Sequence, residues 1–218
     1  MRNLVVAIDG PAGAGKSTVA QLAAKELGYT YIDTGAMYRA VAWKVLQQEK
    51  EVTDERILAA VKDIAVVLRY EAGKTTVRVD GCDVTAAIRT PEVTKIVSQV
   101  ARLAPVRGKM VELQRQMARD GAVVMDGRDI ATNVLPDADV KIFLTASIEE
   151  RARRRWQEMQ AKGYAVDLPA LQAEIAARDK ADSEREISPL VQAEDASLLD
   201  TTGLSIDEVV KSILNACR

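Results

Sequence analysis

The run Gly10-Pro11-Ala12-Gly13-Ala14-Gly15-Lys16-Ser17 carries the most specific chemistry in the chain, and Thr18 extends it. Its spacing is G-x-x-x-x-G-K-[ST], in which glycines let the backbone curl so that successive N–H groups face phosphate oxygens. Lys16 can reach the β- and γ-phosphates, Ser17 can ligate Mg²⁺, and the N-terminus of a following helix adds a favourable dipole. The pattern predicts nucleoside triphosphate binding. It does not name an acceptor, because GTPases, ATPases and many small-molecule kinases share this loop.

Other candidates lie further along. Asp126 ends an apolar run, the place of a carboxylate that holds Mg²⁺ through water, although a turn-capping Asp reads the same way. Arg128 and Asp129 follow Gly127, where a guanidinium can take a phosphate and a carboxylate a base amino group; a surface ion pair is the plain alternative. In Asp33-Thr34-Gly35-Ala36-Met37-Tyr38-Arg39, Thr34 and Asp33 suit helix initiation. A cation as early in a helix as Arg39 opposes the dipole, which an anion contact would explain. Arg178, Asp182 and Arg185 fall at i, i+4 and i+7, within one arc of a continuing helix. They could grip phosphate and sugar hydroxyls, or form an exposed salt-bridge stripe. Arg151, Arg153, Arg154 and Arg155 form a dense patch, either a solvated face or a lid that closes over a triphosphate.

Composition narrows the chemistry. The chain has 218 residues, 48% hydrophobic and 28% charged, enough for one globular domain with a modest insertion. Histidine is absent, which excludes Ser-His and Cys-His nucleophile pairs and HExxH zinc sites. Lys and Arg total 30 against 32 Asp and Glu, so no global positive field favours nucleic acid. Cys82 and Cys217 show no CxxC spacing. The apolar run Leu4 to Ile8 is too short for a signal peptide's core, and no stretch approaches the roughly 20 apolar residues of a bilayer span. These features predict a cytoplasmic protein without a membrane or nucleic-acid partner.

The elements that must position these residues read as an α/β pattern. Leu4 to Ile8 is a strand buried on both faces, Lys16 to Leu27 a helix closed by Gly28, Tyr29 to Asp33 a strand, and Thr34 to about Gln48 a helix. After a helix from Asp54 to Ile64, Val66 to Asp80 alternates around Ala72-Gly73-Lys74 as a hairpin, with Gly81 to Val84 extending it. An antiparallel insert from about 65 to 90 therefore interrupts a parallel pattern. Helices follow over Glu92 to Ala101 and Val106 to Arg119, then strands over Ala122 to Met125 and Val140 to Leu144. Two charged helical stretches lie between Ser147 and Asp182, separated by Gly163 to Leu168. Leu198 to Asp200 and Ile206 to Leu214 close the pattern as a strand and a helix.

Five segments in register, G-P-A-G-A-G-K-S-T, D-T-G-A-M-Y-R, S-Q-V-A-R, D-G-R-D-I and A-R-D-x-x-D-S-x-R, resemble the bacterial cytidylate kinase family over nearly the whole chain. Where that family usually reads G-R-D-I-G-T, this chain carries Ala131 and Asn133 around Thr132. The resemblance implies a phosphate-loop three-layer α/β/α fold with a central parallel sheet, an antiparallel insert in the monophosphate-binding part and a helical lid. It implies one kinase domain over 1–218: a core of about 1–35, 105–147 and 190–218, a monophosphate-binding region of about 36–104, and a lid with its following helix over about 148–189.

By the same resemblance, the γ-phosphate of ATP passes to CMP or dCMP with Mg²⁺, in a monomer whose partners are these nucleotides. Gly10 to Thr18 would bind ATP, with Arg151, Arg154 and Arg155 as lid arginines. Thr34, Arg39, Arg128 and Arg185 would hold the acceptor phosphate, Ser98, Arg107 and Asp129 the cytosine, and Arg178 and Asp182 the sugar. Ser17 and Asp126 would hold the metal. Lys16, Arg39, Arg128 and Arg185 would be the catalytic charges; an already anionic acceptor needs no general base. A nucleotide-dependent switch and a kinase for another small metabolite such as shikimate are the rival readings.

Overall fold

In the computed structural model, residues 3–48, 51–161 and 163–218 are described. The chain opens with β1 (Val5–Asp9), α1 (Lys16–Leu27), β2 (Thr30–Asp33) and α2 (Thr34–Gln48). It continues with α3 (Asp54–Lys62), β3 (Val66–Glu71), β4 (Lys74–Val79), β5 (Cys82–Asp83), α4 (Pro91–Arg102) and α5 (Ala104–Ala118). The last part holds β6 (Val123–Asp126), β7 (Val140–Thr145), α6 (Ile148–Ala161), α7 (Leu168–Glu184), β8 (Ser197–Asp200) and α8 (Ile206–Ala216).

Among the described residues, β2-β6-β1-β7-β8 form a five-stranded sheet whose pairs are all parallel. β1 is central, and its neighbours β6 and β7 carry the chain outward to opposite edges, so the order reverses beside it. Ligands in open α/β sheets bind at that crevice, beyond the carboxyl ends of the strands. Val6, Ala7 and Ile8 are fully buried, as the continuous apolar run requires. On one face they pack with Val19, Ala20, Ala23 and Ala24 of α1 and Val209 and Ile213 of α8; on the other, Ala7 joins Ile32, Met125 and Ile130.

The insert is a three-stranded antiparallel sheet, β3-β4-β5. Its two-residue turn, Ala72 and Gly73, has φ of 51° and 75°, the left-handed pair that matches strand twist in tight hairpins. Val77, Val79, Val84 and Ile88 are buried with α2, α4 and α5, so the insert belongs to a second core rather than standing off the molecule. It also reaches the phosphate-loop helix: Gln21 Nε2 donates to the Gly73 carbonyl at 2.8 Å.

Three local features differ from the sequence expectation. The helix through Arg178 stops at Glu184; Arg185 is its C-cap with extended backbone (φ −65°, ψ 141°), so Arg185 is not one more turn of a continuing helix. Thr34 is not the cap of α2. The Asp33 carboxylate accepts from the Ala36 amide at 2.8 Å, while the Thr34 hydroxyl donates to the Asp126 carbonyl at 2.7 Å. A wide helical turn over Ile130–Val134, absent from the periodicity, follows β6.

Candidate active site

The loop between β1 and α1 is glycine-built for a steric reason. Gly10 has φ of 147°, and a Cβ there would lie 1.9 Å from the Leu144 carbonyl oxygen of β7. Lys16 folds back over the loop, its Nζ donating to the Pro11 carbonyl at 2.7 Å. Burial, and then the positive charge of Arg128, holds its pKa well below the usual lysine value. An anion in front of it would favour the charged form.

Beside the loop, Asp126 ends β6. Ser17 donates to one carboxylate oxygen at 3.0 Å and the Tyr31 hydroxyl to the other at 2.7 Å. Burial and the negative charge of Asp33 push the Asp126 pKa up to about 6. Among the described residues no group of three or more Cys, Asp or Glu side chains could cage an ion. One hydroxyl and one carboxylate side by side are a hard-oxygen set that fits Mg²⁺ brought in on phosphates.

A cavity of about 620 Å³ runs from this loop over the sheet edge. It is lined by Lys16, Arg39, Arg89, Arg107, Arg128, Arg154, Arg155, Arg178 and Arg185, with Thr34 and Ser98 on its walls. The Asp33 carboxylate takes Arg39 at 2.9 Å and Arg89 at 3.2 Å. Although burial works to raise its pKa, these two guanidinium groups hold it below the usual carboxylate value. Arg128 Nε pairs with Asp182 at 2.9 Å. Burial and the charge of Arg128 lower the Arg178 pKa to about 10. Arg39 Nε, Arg178 Nε and Arg185 Nη2 are buried without hydrogen-bond partners among the described residues. Buried donors left open in this way in a cation-lined cleft are prepared for an anion.

Deeper on the same wall, Asp129 is buried between Arg107 and Arg185. Arg107 also donates to the Ala101 carbonyl at 3.2 Å and stacks its guanidinium over Tyr38, 5.5 Å from the ring centre. Gly127 is forced here: a Cβ would lie 2.6 Å from Ile130 Cδ1 and 2.7 Å from Thr34 Oγ1. Ala131, in contrast, has ordinary negative φ inside the turn and is buried against the core, so that position has no need of glycine.

The cleft thus gathers most of the residues singled out from sequence. Gly10, Pro11 and Arg153 do not line it, and neither does Arg151. Its guanidinium is buried away from the cavity, donating to the Ala12 carbonyl at 2.9 Å and to Asp179 at 2.5 Å, while Asp179 accepts from the Ala12 amide at 3.1 Å. It braces the loop from behind instead of facing a triphosphate. Arg154 and Arg155 do line the cavity; Arg154 is tied to Thr201 and Glu150, Arg155 to Glu158. Sequence reasoning missed Arg89, Thr94, Thr201, Leu204 and Ile206, which line the cleft without any local motif.

A parallel sheet with a phosphate loop at its switch point, under a cleft rich in arginine, defines a phosphate-loop kinase. The chain belongs to the cytidylate kinase family. The family's sequence model, described as Cytidylate kinase, matches residues 6–218. The chain is 55% identical over 215 residues to the cytidylate kinase of Desulfitobacterium hafniense, covering 98% of this chain and 92% of that one. It is 52% identical over 219 residues to the cytidylate kinase of Symbiobacterium thermophilum, covering 100% and 97%. The crystal structure of an uncharacterized protein from Eubacterium ventriosum shares the fold, with a TM-score of 0.54 at 12% identity over 98% of this chain and 97% of that one. Among the described residues, no helix is long and apolar enough to cross a membrane.

Proposed function

We propose that this chain transfers the γ-phosphate of ATP to CMP or dCMP, giving ADP and CDP or dCDP, with Mg²⁺ as cofactor. The observation that carries the reading is the single cleft in which the phosphate loop and a second set of arginines, Arg39, Arg128, Arg178 and Arg185, face one space. Two anions must be brought together against their mutual repulsion, and no side chain needs to abstract a proton, because the attacking oxygen already belongs to a phosphate. Lys16 and the amides of Gly13 to Thr18 would hold the donor phosphates. Ser17, and Asp126 through water, would hold Mg²⁺, which supplies charge neutralisation on the donor when bound.

On the acceptor side, Arg39, Arg128 and Arg185 would grip the phosphate, Arg178 and Asp182 the sugar. Ser98, Arg107 and Asp129 would meet the base. Cytosine presents an amino donor where uracil presents a carbonyl, so a carboxylate partner favours cytosine. Arg154 and Arg155, on α6, would close over the triphosphate and exclude water. The lid comprises about 148–189, the monophosphate-binding region about 36–104, and the remainder the core of a monomer working in the cytoplasm. An ADP-release assay with ATP, Mg²⁺ and each of CMP, dCMP, UMP, AMP, GMP and shikimate tests the reading. ADP release restricted to cytidine nucleotides supports it; release that ignores the acceptor, or requires shikimate, overturns it.

A further inference from the structure

We propose that Asn133 is a positioning residue for acceptor choice: its side-chain amide fixes which oxygen of Asp129 is left to receive the base. The inference rests on the reading of Asp129 as the cytosine partner, and it extends that reading to a residue outside the cleft wall.

Asn133 Nδ2 donates to Asp129 Oδ2 at 3.0 Å, and Arg107 Nη2 donates to the same oxygen. Because a carboxylate only accepts, the amide must present its NH₂ here. Oδ1 faces Arg185 Nη2 at 3.5 Å, an ion pair without a hydrogen bond. One oxygen is therefore occupied by two donors, while the other accepts no hydrogen bond among the described residues, and Asp129 lines the cavity. Asn133 is itself held at both ends. Its backbone N–H donates to the Asp129 carbonyl at 3.0 Å, and its own carbonyl accepts from Arg115 at 2.7 Å. The turn that carries it is pinned by Asp9, which accepts from the amides of Ile130 and Ala131 at 2.9 and 2.8 Å.

The neutral amide matters. A carboxylate free to rotate would let Arg107 engage both oxygens at once, the bidentate geometry that guanidinium–carboxylate pairs prefer, and the accepting capacity meant for the base would be used up. Asn133 opposes that rotation without adding charge. Its loss should weaken CMP, which needs the open oxygen, more than UMP, which does not.

The test compares kcat/KM for CMP and UMP, with calorimetric affinities for both, in the parent, Asn133→Ala, Asn133→Asp and Asp129→Ala. The CMP-to-UMP ratio should fall about threefold to tenfold in Asn133→Ala, the scale of one hydrogen bond. It should fall further in Asn133→Asp, which also sets a like charge against Asp129, and furthest in Asp129→Ala. A merely structural role would lower both nucleotides in proportion and leave the ratio alone. If Asp129→Ala collapses the ratio while Asn133→Ala keeps the parent value, the inference about Asn133 is overturned and the base site stands. If Asp129→Ala also keeps it, the base site is wrong and the inference falls with it.

Discussion

Ser17 and Asp126, 109 residues apart in sequence, meet at 3.0 Å where the first turn of α1 faces the end of β6. Parallel pairing of β1 with β6 puts Asp126 opposite Ile8, at the edge from which the phosphate loop departs. If the pair holds Mg²⁺, with Asp126 acting through water, Asp126→Asn should lower activity by about 10- to 100-fold, the usual cost of an outer-shell metal partner. Titration with MgCl₂ at fixed ATP should show the half-saturating concentration raised. An unchanged Mg²⁺ dependence would remove Asp126 from the metal site.

Arg151 and Arg155 sit on one helix but have different jobs. The buried pair of Arg151 with Asp179 clamps Ala12, whereas the Arg155 side chain is 30% exposed in the cleft. Arg151→Ala should therefore cost about 3–5 kcal/mol of folding stability, because it leaves Asp179 without its charge partner. Urea unfolding is the check. Arg155→Ala should shift the midpoint far less and act on turnover.

Arg178 should matter for the acceptor rather than the donor. Its pKa, lowered to about 10, still leaves it charged at neutral pH, and its buried Nε has no hydrogen-bond partner among the described residues. Arg178→Gln should reduce kcat/KM for CMP by about 10- to 100-fold, the scale of a hydrogen bond to a charged group. Steady-state kinetics with CMP varied at saturating ATP would show it, and an effect seen only when ATP is varied would contradict the assignment.

Asp9 makes stability depend on pH. Burial raises its pKa from 3.8 to about 6, outweighing the lowering by the Ala131 and Ile130 amides. The folded state then holds a proton that the unfolded chain releases between those values. The favourable contribution is complete below pH 3.8 and is lost as pH rises through about 6. Relative to Asp9→Asn, the parent should lose up to about 3 kcal/mol between pH 4 and pH 7. Urea midpoints measured across that range would show it; a constant difference between the two proteins would contradict it.

What sequence could reveal here depended on whether the cause was local. The phosphate loop and the helix Thr34–Gln48 were legible because glycine spacing and apolar periodicity act within a few residues. Arg89 was not, since it reaches the cleft by pairing with Asp33, 56 residues away, through the packing of the insert. Arg151 could not be told from Arg155 by helical position alone; the difference is Asp179, supplied by α7. The turn at Ile130–Val134 depends likewise on a partner distant in sequence, the Asp9 carboxylate that accepts from the Ile130 amide.

The central claim is phosphoryl transfer between two nucleotides held in one cleft, and the most direct measurement follows the phosphate itself. ATP labelled at the γ-position, incubated with Mg²⁺, CMP and the protein, should pass its label to CDP, with little released as inorganic phosphate. Label appearing as inorganic phosphate at a rate indifferent to CMP would contradict the account, leaving a nucleotide hydrolase or switch built on the same loop.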